Sequence, residues 1–213
     1  MTFNNTMIFG DSYSTFNGHI PEGYAFYYPA TLEGRPVLDD VCDTWWQALI
    51  NETDSTLIRN DSWSGSTVGY TGYNNADTSK TTCFIHRMRT LEAEGFFKEN
   101  KIDTVFIFGA TNDSWADAPI GKNKYKNISN QDLYSVLPAV CYFLENIKRL
   151  LPEAKISFIL NDELKSELSL GIIRACKHYR VNTVALENID KLSGHPTKCG
   201  MQQIKEQILK KLS

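Results

Sequence analysis

The sequence predicts an α/β protein in which a mainly parallel sheet is covered by helices on both faces. Three features carry this. Short apolar, β-branched runs recur at residues 6–9, 56–59, 104–108, 155–160 and 181–186, each of a length suited to a buried strand. Between them lie segments with apolar residues three and four apart, the spacing of one helix face. Strand and helix alternate along the chain, the order that crossover connections of a parallel sheet require.

Taken in order, the first run, 6–9, is followed by a long irregular stretch, 13–40, containing "PEGYAFYYPATLEGRP". Trp45 and Trp46 then begin a helix after Asp43, and the second run follows at 56–59. A helix is predicted over 81–94 from Phe84, Met88 and Leu91, ahead of the third run at 104–108. A second irregular stretch, 114–127 ("SWADAPIGKNKYKN"), precedes a helix over 133–151 marked by Val136, Val140, Phe143, Leu144 and Ile147. Ser129 and Asp132 resemble a capping box for it, and Pro138 inside it predicts a kink or a late start. Helices over 163–178 and 201–212 flank the last run. Long loops in compact domains are often functional, and in open α/β sheets ligands bind beyond the carboxyl ends of the strands, where both stretches emerge.

The 213 residues, 42% of them hydrophobic, suffice for one core, so 1–213 is read as a single domain. A net charge of -3 with both signs interspersed gives no footprint for nucleic acid and no basic face for a membrane. No run approaches the roughly 20 apolar residues of a membrane span, and "MTFNNTMIFG" lacks the pattern of a secretory leader, so a cytoplasmic location is expected. A chain whose leader had been removed would read the same. Five scattered cysteines without a C-x-x-C pair read as buried thiols of a reducing compartment. His195 with Cys199 is too sparse a pair for a metal site, and no cofactor is expected. The lysines of "GKNKYKN" read as a solvated rim, and oligomeric state is not legible.

Chemistry collects just after the strands. The first is followed by "GDSYS", the second by "NDSWSGSTVGYTG", the third by "GATNDSW" and the last by "NIDKLSGHPTKCGM". The carboxyl edge thereby gathers Ser12, Gly65, Asn112 and His195: a hydroxyl nucleophile, a base for its proton, and amide donors for an oxyanion. Each residue alone would be an ordinary turn or packing residue. Neither G-x-S-x-G, nor G-x-G-x-x-G after the first strand, nor a P-loop is present, and a flavin site would not explain a histidine delivered behind the last strand.

Together and in this order, from Gly10 to Gly200, the four blocks resemble those of the SGNH hydrolases, the GDSL esterase/lipase family. The resemblance implies a flavodoxin-like three-layer α/β/α sandwich with a five-stranded parallel sheet. It makes Ser12 the nucleophile and His195 the general base. Its oxyanion hole is the Ser12 N–H, the Gly65 N–H and the Asn112 side-chain amide. The family usually carries an acid three residues before the histidine, and here that position is Leu192. The nearest upstream carboxylate is Asp190, which would serve if "DKLSG" forms a wider loop; a backbone carbonyl or water would instead leave a Ser–His dyad.

Trp45, Trp46, Trp63 and Trp115, with Tyr24, Phe26, Tyr27 and Tyr28, make an aromatic-rich set, of which Trp63 and Trp115 sit beside oxyanion-hole candidates in polar loop sequence. Asp11, Trp63 and Trp115 are therefore placed on the substrate side, with Asp11 shaping the turn under Ser12 rather than doing chemistry. Loops mixing aromatics with Asn, Asp and Ser, without a long aliphatic stretch, favour a short-acyl ester on a polar carrier, most simply an O-acetylated sugar. A lipase or acyl-thioesterase of the same family, and a non-catalytic carbohydrate-binding relative that lost its acid, are the alternatives.

Overall fold

In the computed structural model, which describes residues 2–32 and 35–212, five parallel strands form one sheet. They are β1 (Asn5–Gly10), β2 (Thr56–Ser62), β3 (Thr104–Phe108), β4 (Lys155–Leu160) and β5 (Asn182–Ala185), in the spatial order β2-β1-β3-β4-β5. This is the flavodoxin-like order, whose switch point lies between β1 and β3. The helices are α1 (Trp45–Glu52), α2 (Phe84–Ala93), α3 (Phe96–Glu99), α4 (Thr111–Trp115), α5 (Val136–Leu150), α6 (Ser166–Tyr179) and α7 (Lys198–Leu212).

Side-chain alternation along the strands assigns the two cores. Met7 and Phe9 of β1, with Val105 and Ile107 of β3, point to one side and meet Phe84 and Met88 of α2, Phe143 and Ile147 of α5, and Ile172 of α6. Ile8, Phe106 and Phe108 point to the other, against Trp45, Trp46 and Leu49 of α1 and Met201, Ile204 and Ile208 of α7. The sheet is thus a buried middle layer. Both tryptophans that open α1 are fully buried, so they are core; truncating a ring at such a site typically costs about 3–5 kcal/mol.

Several boundaries differ from the sequence reading, each for a local reason. β2 runs on to Ser62, because polar Asn60, Asp61 and Ser62 are buried and bonded rather than solvated. The Ser129–Asp132 box is formed reciprocally, but it leads into the short 3₁₀ turn Asp132–Tyr134 rather than into α5, which starts afterwards at Val136. Pro138 then falls in the first turn, where no intrahelical N–H is needed. α4 reaches into the irregular stretch that the sequence predicts from 114, and residues 33 and 34 of the first long loop lie outside the described residues. Cys83, Cys141 and Cys176 are buried as expected, but Cys42 and Cys199 are exposed, one in the turn before α1 and one in the first turn of α7. Among the described residues no helix is long and apolar enough to cross a membrane.

Candidate active site

β1 ends at Gly10, level with Ser62 of β2 and Phe108 of β3, so the chain beyond it emerges at the switch point. Gly10 is required there: a Cβ would stand 2.3 Å from Ser62 Oγ and 2.6 Å from Ser14 Cβ. The 3₁₀ turn Ser12–Ser14 follows, capped by the Asp11 carboxylate, whose Oδ1 accepts the Tyr13 N–H at 3.1 Å. The Trp45 indole donates to Ser14 Oγ at 3.2 Å and Asn60 Nδ2 to Ser14 O at 2.8 Å, pinning the turn from both sides. Asp11, expected on the substrate side, is instead fully buried under the turn, and burial pushes its carboxyl up to about 7.

His195 arrives on a two-residue hairpin in which Leu192 pairs with His195 and the turn residues Ser193 and Gly194 both have positive φ. Side chains from the first block and from the long loop after it hold this hairpin in place. Tyr13 Oη donates to Gly194 O at 2.5 Å and Tyr28 Oη to Pro196 O at 2.7 Å. Tyr27 stacks on the imidazole with centroids 3.6 Å apart and planes 6° from parallel, while Trp115 meets its edge at 5.6 Å. The hairpin thereby sets His195 Nε2 3.0 Å from Ser12 Oγ.

On its far side His195 Nδ1 lies 3.3 Å from Ser193 O. A carbonyl can only accept, so Nδ1 carries the proton and Nε2 is left as the acceptor facing the serine hydroxyl. The structure does not bring Asp190 to the imidazole: its carboxylate takes the Thr197 hydroxyl and its main-chain oxygen the Thr197 N–H at 3.0 Å. Burial lowers the His195 pKa, the Lys191 ammonium adds to this, and the Ser193 carbonyl opposes it. Lys191 is itself held by Asn161 Oδ1 at 2.8 Å, by the Asp162 carboxylate, and by Glu163 at 3.1 Å.

The sequence assigns three donors to the oxyanion hole. Among the described residues neither the Ser12 N–H nor the Gly65 N–H has a hydrogen-bond partner. Gly65 has φ +82°, a conformation that presents its amide and that a side chain would strain. Asn112, in the first turn of α4 and almost fully buried, gives one Nδ2 hydrogen to Ser66 O at 3.0 Å and keeps the other, while Oδ1 accepts from Tyr73 Oη at 2.8 Å. Donors left free in this way are what a developing oxyanion requires. Trp63 lies partly buried against Tyr24, their centroids 4.2 Å apart, and Trp115 is 39% exposed beside Gly194.

Buried charges fix the loops that carry these donors. Asp113 accepts from the Val68 N–H at 2.9 Å and the Gly69 N–H at 3.2 Å, tying α4 to the Gly65 loop; burial pushes it up to about 6. Arg87 of α2 pairs with Asp61 at 2.7 Å and donates to Gly10 O and Ser66 Oγ, each at 3.2 Å. Neither residue carried a sequence signal, because a lone Asp or Arg is usually solvated. Tyr13, Tyr27, Tyr28 and Tyr73 were equally unmarked in role, although "YAFYYP" had placed two of them in the aromatic set. No group of three or more His, Cys, Asp or Glu able to hold a metal ion occurs among the described residues.

Comparison with known proteins identifies the family of the chain. Residues 4–212 match the family of GDSL-like lipases/acylhydrolases. A candidate GDSL-like lipase from Bacteroides ovatus is similar at 39% identity, with a TM-score of 0.89 over 99% of this chain and 98% of that one. One from Bacteroides uniformis is similar at 41% identity, TM-score 0.87, over 97% and 94%. A family two carbohydrate esterase from Clostridium thermocellum, solved with cellohexaose, shares the fold at 16% identity and a TM-score of 0.65, over 98% of this chain and 63% of that one. No curated protein sequence matches significantly. The chain therefore belongs to the GDSL-like lipase/acylhydrolase family and is a serine ester hydrolase with the flavodoxin-like α/β/α fold of that family.

Proposed function

We propose that the enzyme hydrolyses a short-acyl ester, most simply an O-acetyl group, of a carbohydrate or similar polar carrier through an acyl-enzyme. The observation that carries the chemistry is the 3.0 Å contact between His195 Nε2 and Ser12 Oγ beside unpaired donors. His195 takes the hydroxyl proton as Ser12 Oγ attacks the ester carbonyl, and the carbonyl oxygen becomes an oxyanion held by Ser12 N–H, Gly65 N–H and Asn112 Nδ2. The imidazolium then protonates the departing alcohol, and water enters by the same route in reverse. Each oxyanion donor is worth about 2.7–4 kcal/mol in the transition state. The imidazolium formed on the way is stabilised by the Ser193 carbonyl through Nδ1–H, where a carboxylate would do more.

Substrate choice rests on the rim. Trp115 and Phe26, both well exposed, and the Tyr24–Trp63 pair offer flat faces of the kind that suit a sugar ring. Hydrolysis of p-nitrophenyl acetate, compared with Ser12→Ala, tests the mechanism, and equal rates would sink it. That outcome would favour the second reading, a carbohydrate-binding relative without turnover, to which the carboxylate-free His195 lends some support. A series from acetyl to decanoyl esters, with acetylated xylose, tests the substrate class. Preference for long chains would replace the sugar ester with a lipid or thioester.

A further inference from the structure

Tyr73 has no part in the reaction as described, yet its loop is built to hold it. It opens a 3₁₀ turn, Tyr73–Asn75, in which Asn74 and Asn75 both have left-handed φ, +55° and +58°. Two successive non-glycine residues in that region are costly, although asparagine tolerates it best, and such conformations persist where the surroundings impose them. The surroundings here are explicit. Thr71 Oγ1 donates to Tyr134 O at 2.8 Å, the Gly72 N–H to Ala76 O at 2.8 Å, and Tyr134 Oη to Asp77 Oδ2 at 3.0 Å. The Thr78 N–H closes the loop on Tyr70 O at 2.8 Å. What the loop delivers is one phenol, 41% exposed, whose hydroxyl donates to Asn112 Oδ1 at 2.8 Å.

An amide has two ends, and only one stabilises an oxyanion. We infer that Tyr73 is a positioning residue for the oxyanion hole, which locks the Asn112 amide with Nδ2 toward the substrate oxygen and polarises it by donating to Oδ1. If the amide flipped, Oδ1 would face Ser66 O, acceptor against acceptor; Tyr73 supplies the matching attraction for the orientation observed. A hydrogen bond accepted at Oδ1 also makes the Nδ2 hydrogens stronger donors. Burial raises the Tyr73 pKa, with the Asp11 and Asp113 carboxylates adding to it, so the phenol keeps the proton it must donate.

The inference rests on the acyl-transfer reading, and its test separates the two. Losing the Asn112 donor altogether should reduce kcat by about 10²–10³. Tyr73→Phe keeps the ring and should reduce kcat on p-nitrophenyl acetate by about tenfold with KM within twofold, since the lost interaction matters mainly in the transition state. In an Asn112→Ala background the same change should do less than twofold further, because Tyr73 acts through that amide. An equal loss in both backgrounds, or no loss in either, overturns the inference. Independently of turnover, the Asn112 side-chain ¹H–¹⁵N resonances, assigned by their disappearance in Asn112→Ala, should shift in Tyr73→Phe, and unshifted resonances also overturn it. If the wild-type enzyme and Ser12→Ala hydrolyse the ester equally, the acyl-transfer reading fails and the resonances alone decide the role of Tyr73.

Discussion

Replacing Leu192 with aspartate tests what holds the base. Leu192 lies directly across the hairpin from His195 and is 43% exposed, so the substitution removes little packing. Residues so opposed have Cβ atoms about 4.5–5.5 Å apart, which lets a carboxylate approach the imidazole to roughly 4 Å. Unit charges at that distance interact by about 1 kcal/mol in water and about 4 kcal/mol at an effective dielectric of 20. An exposed carboxylate facing a half-buried ring belongs near the lower figure, so about 1–2 kcal/mol favouring the imidazolium is expected; at 1.36 kcal/mol per unit this raises the pKa by about 0.7–1.5 units. In the wild-type enzyme burial and Lys191 lower the His195 pKa, so the neutral, proton-accepting form persists to more acid pH than an ordinary imidazole, near 6.5, would allow. The acid limb of kcat/KM against pH on an aryl acetate should therefore lie below 6.5 in the wild type and about one unit higher in Leu192→Asp. High salt should shrink the difference, because the added charge is exposed. A limb that stays within about 0.3 units of the wild type, or moves to lower pH, refutes the reasoning from charge and distance.

Two further outcomes follow from the same geometry. Asp190→Asn should leave kcat/KM within about threefold of the wild type, since its carboxylate is taken by Thr197; a loss approaching the 10⁴ that follows disabling a true triad acid would make Asp190 the orienting group after all. Asp11→Asn bears on stability: a folded-state pKa raised from 3.8 to about 7 contributes stability that is complete below 3.8 and is lost as pH rises through 7. Urea denaturation midpoints of the wild type should accordingly fall relative to those of Asp11→Asn between pH 4 and 8, and parallel curves would remove Asp11 as the cause.

The parts of this molecule legible in its sequence are those whose physical cause is local. β-branched runs and helix-face spacing marked the five strands and the main helices, because burial on a sheet imposes periodicity on every residue of an element. Ser12, Gly65, Asn112 and His195 could be found because each follows a strand at the one edge where parallel sheets gather chemistry. α4 escaped notice because its cap is Ala110 in a left-handed conformation rather than a residue with a capping side chain. The partner of His195 Nδ1 was open to no motif, since a main-chain carbonyl belongs to every residue and only the two positive φ values at Ser193 and Gly194 aim this one. Charge misled in a similar way. Asp113 and Arg87 organise the donor loops from inside the protein, where Asp113 is satisfied by Val68 and Gly69, 45 and 44 residues away, and Arg87 by Asp61 and Gly10, 26 and 77 residues away.

Tyr13 shows how the distant blocks become one site. It shares a single 3₁₀ turn with Ser12, so its backbone moves with the nucleophile, while its hydroxyl holds Gly194 O in the turn that carries the base, 181 residues further on. Asn161, at the end of β4, donates to the same hydroxyl at 3.3 Å, so the third element behind the pair is the sheet itself. The nucleophile and base are thus referenced to each other through one side chain rather than through two independent loops. General-base catalysis by a histidine needs its ring nitrogen within about 2.6–3.2 Å of the hydroxyl it deprotonates. Where an acid ordinarily steadies the histidine from behind, this enzyme steadies it from the front and the side: Tyr13 and Tyr28 fix the hairpin, Tyr27 fixes the ring plane, and the carbonyl of Ser193 has only to choose the tautomer.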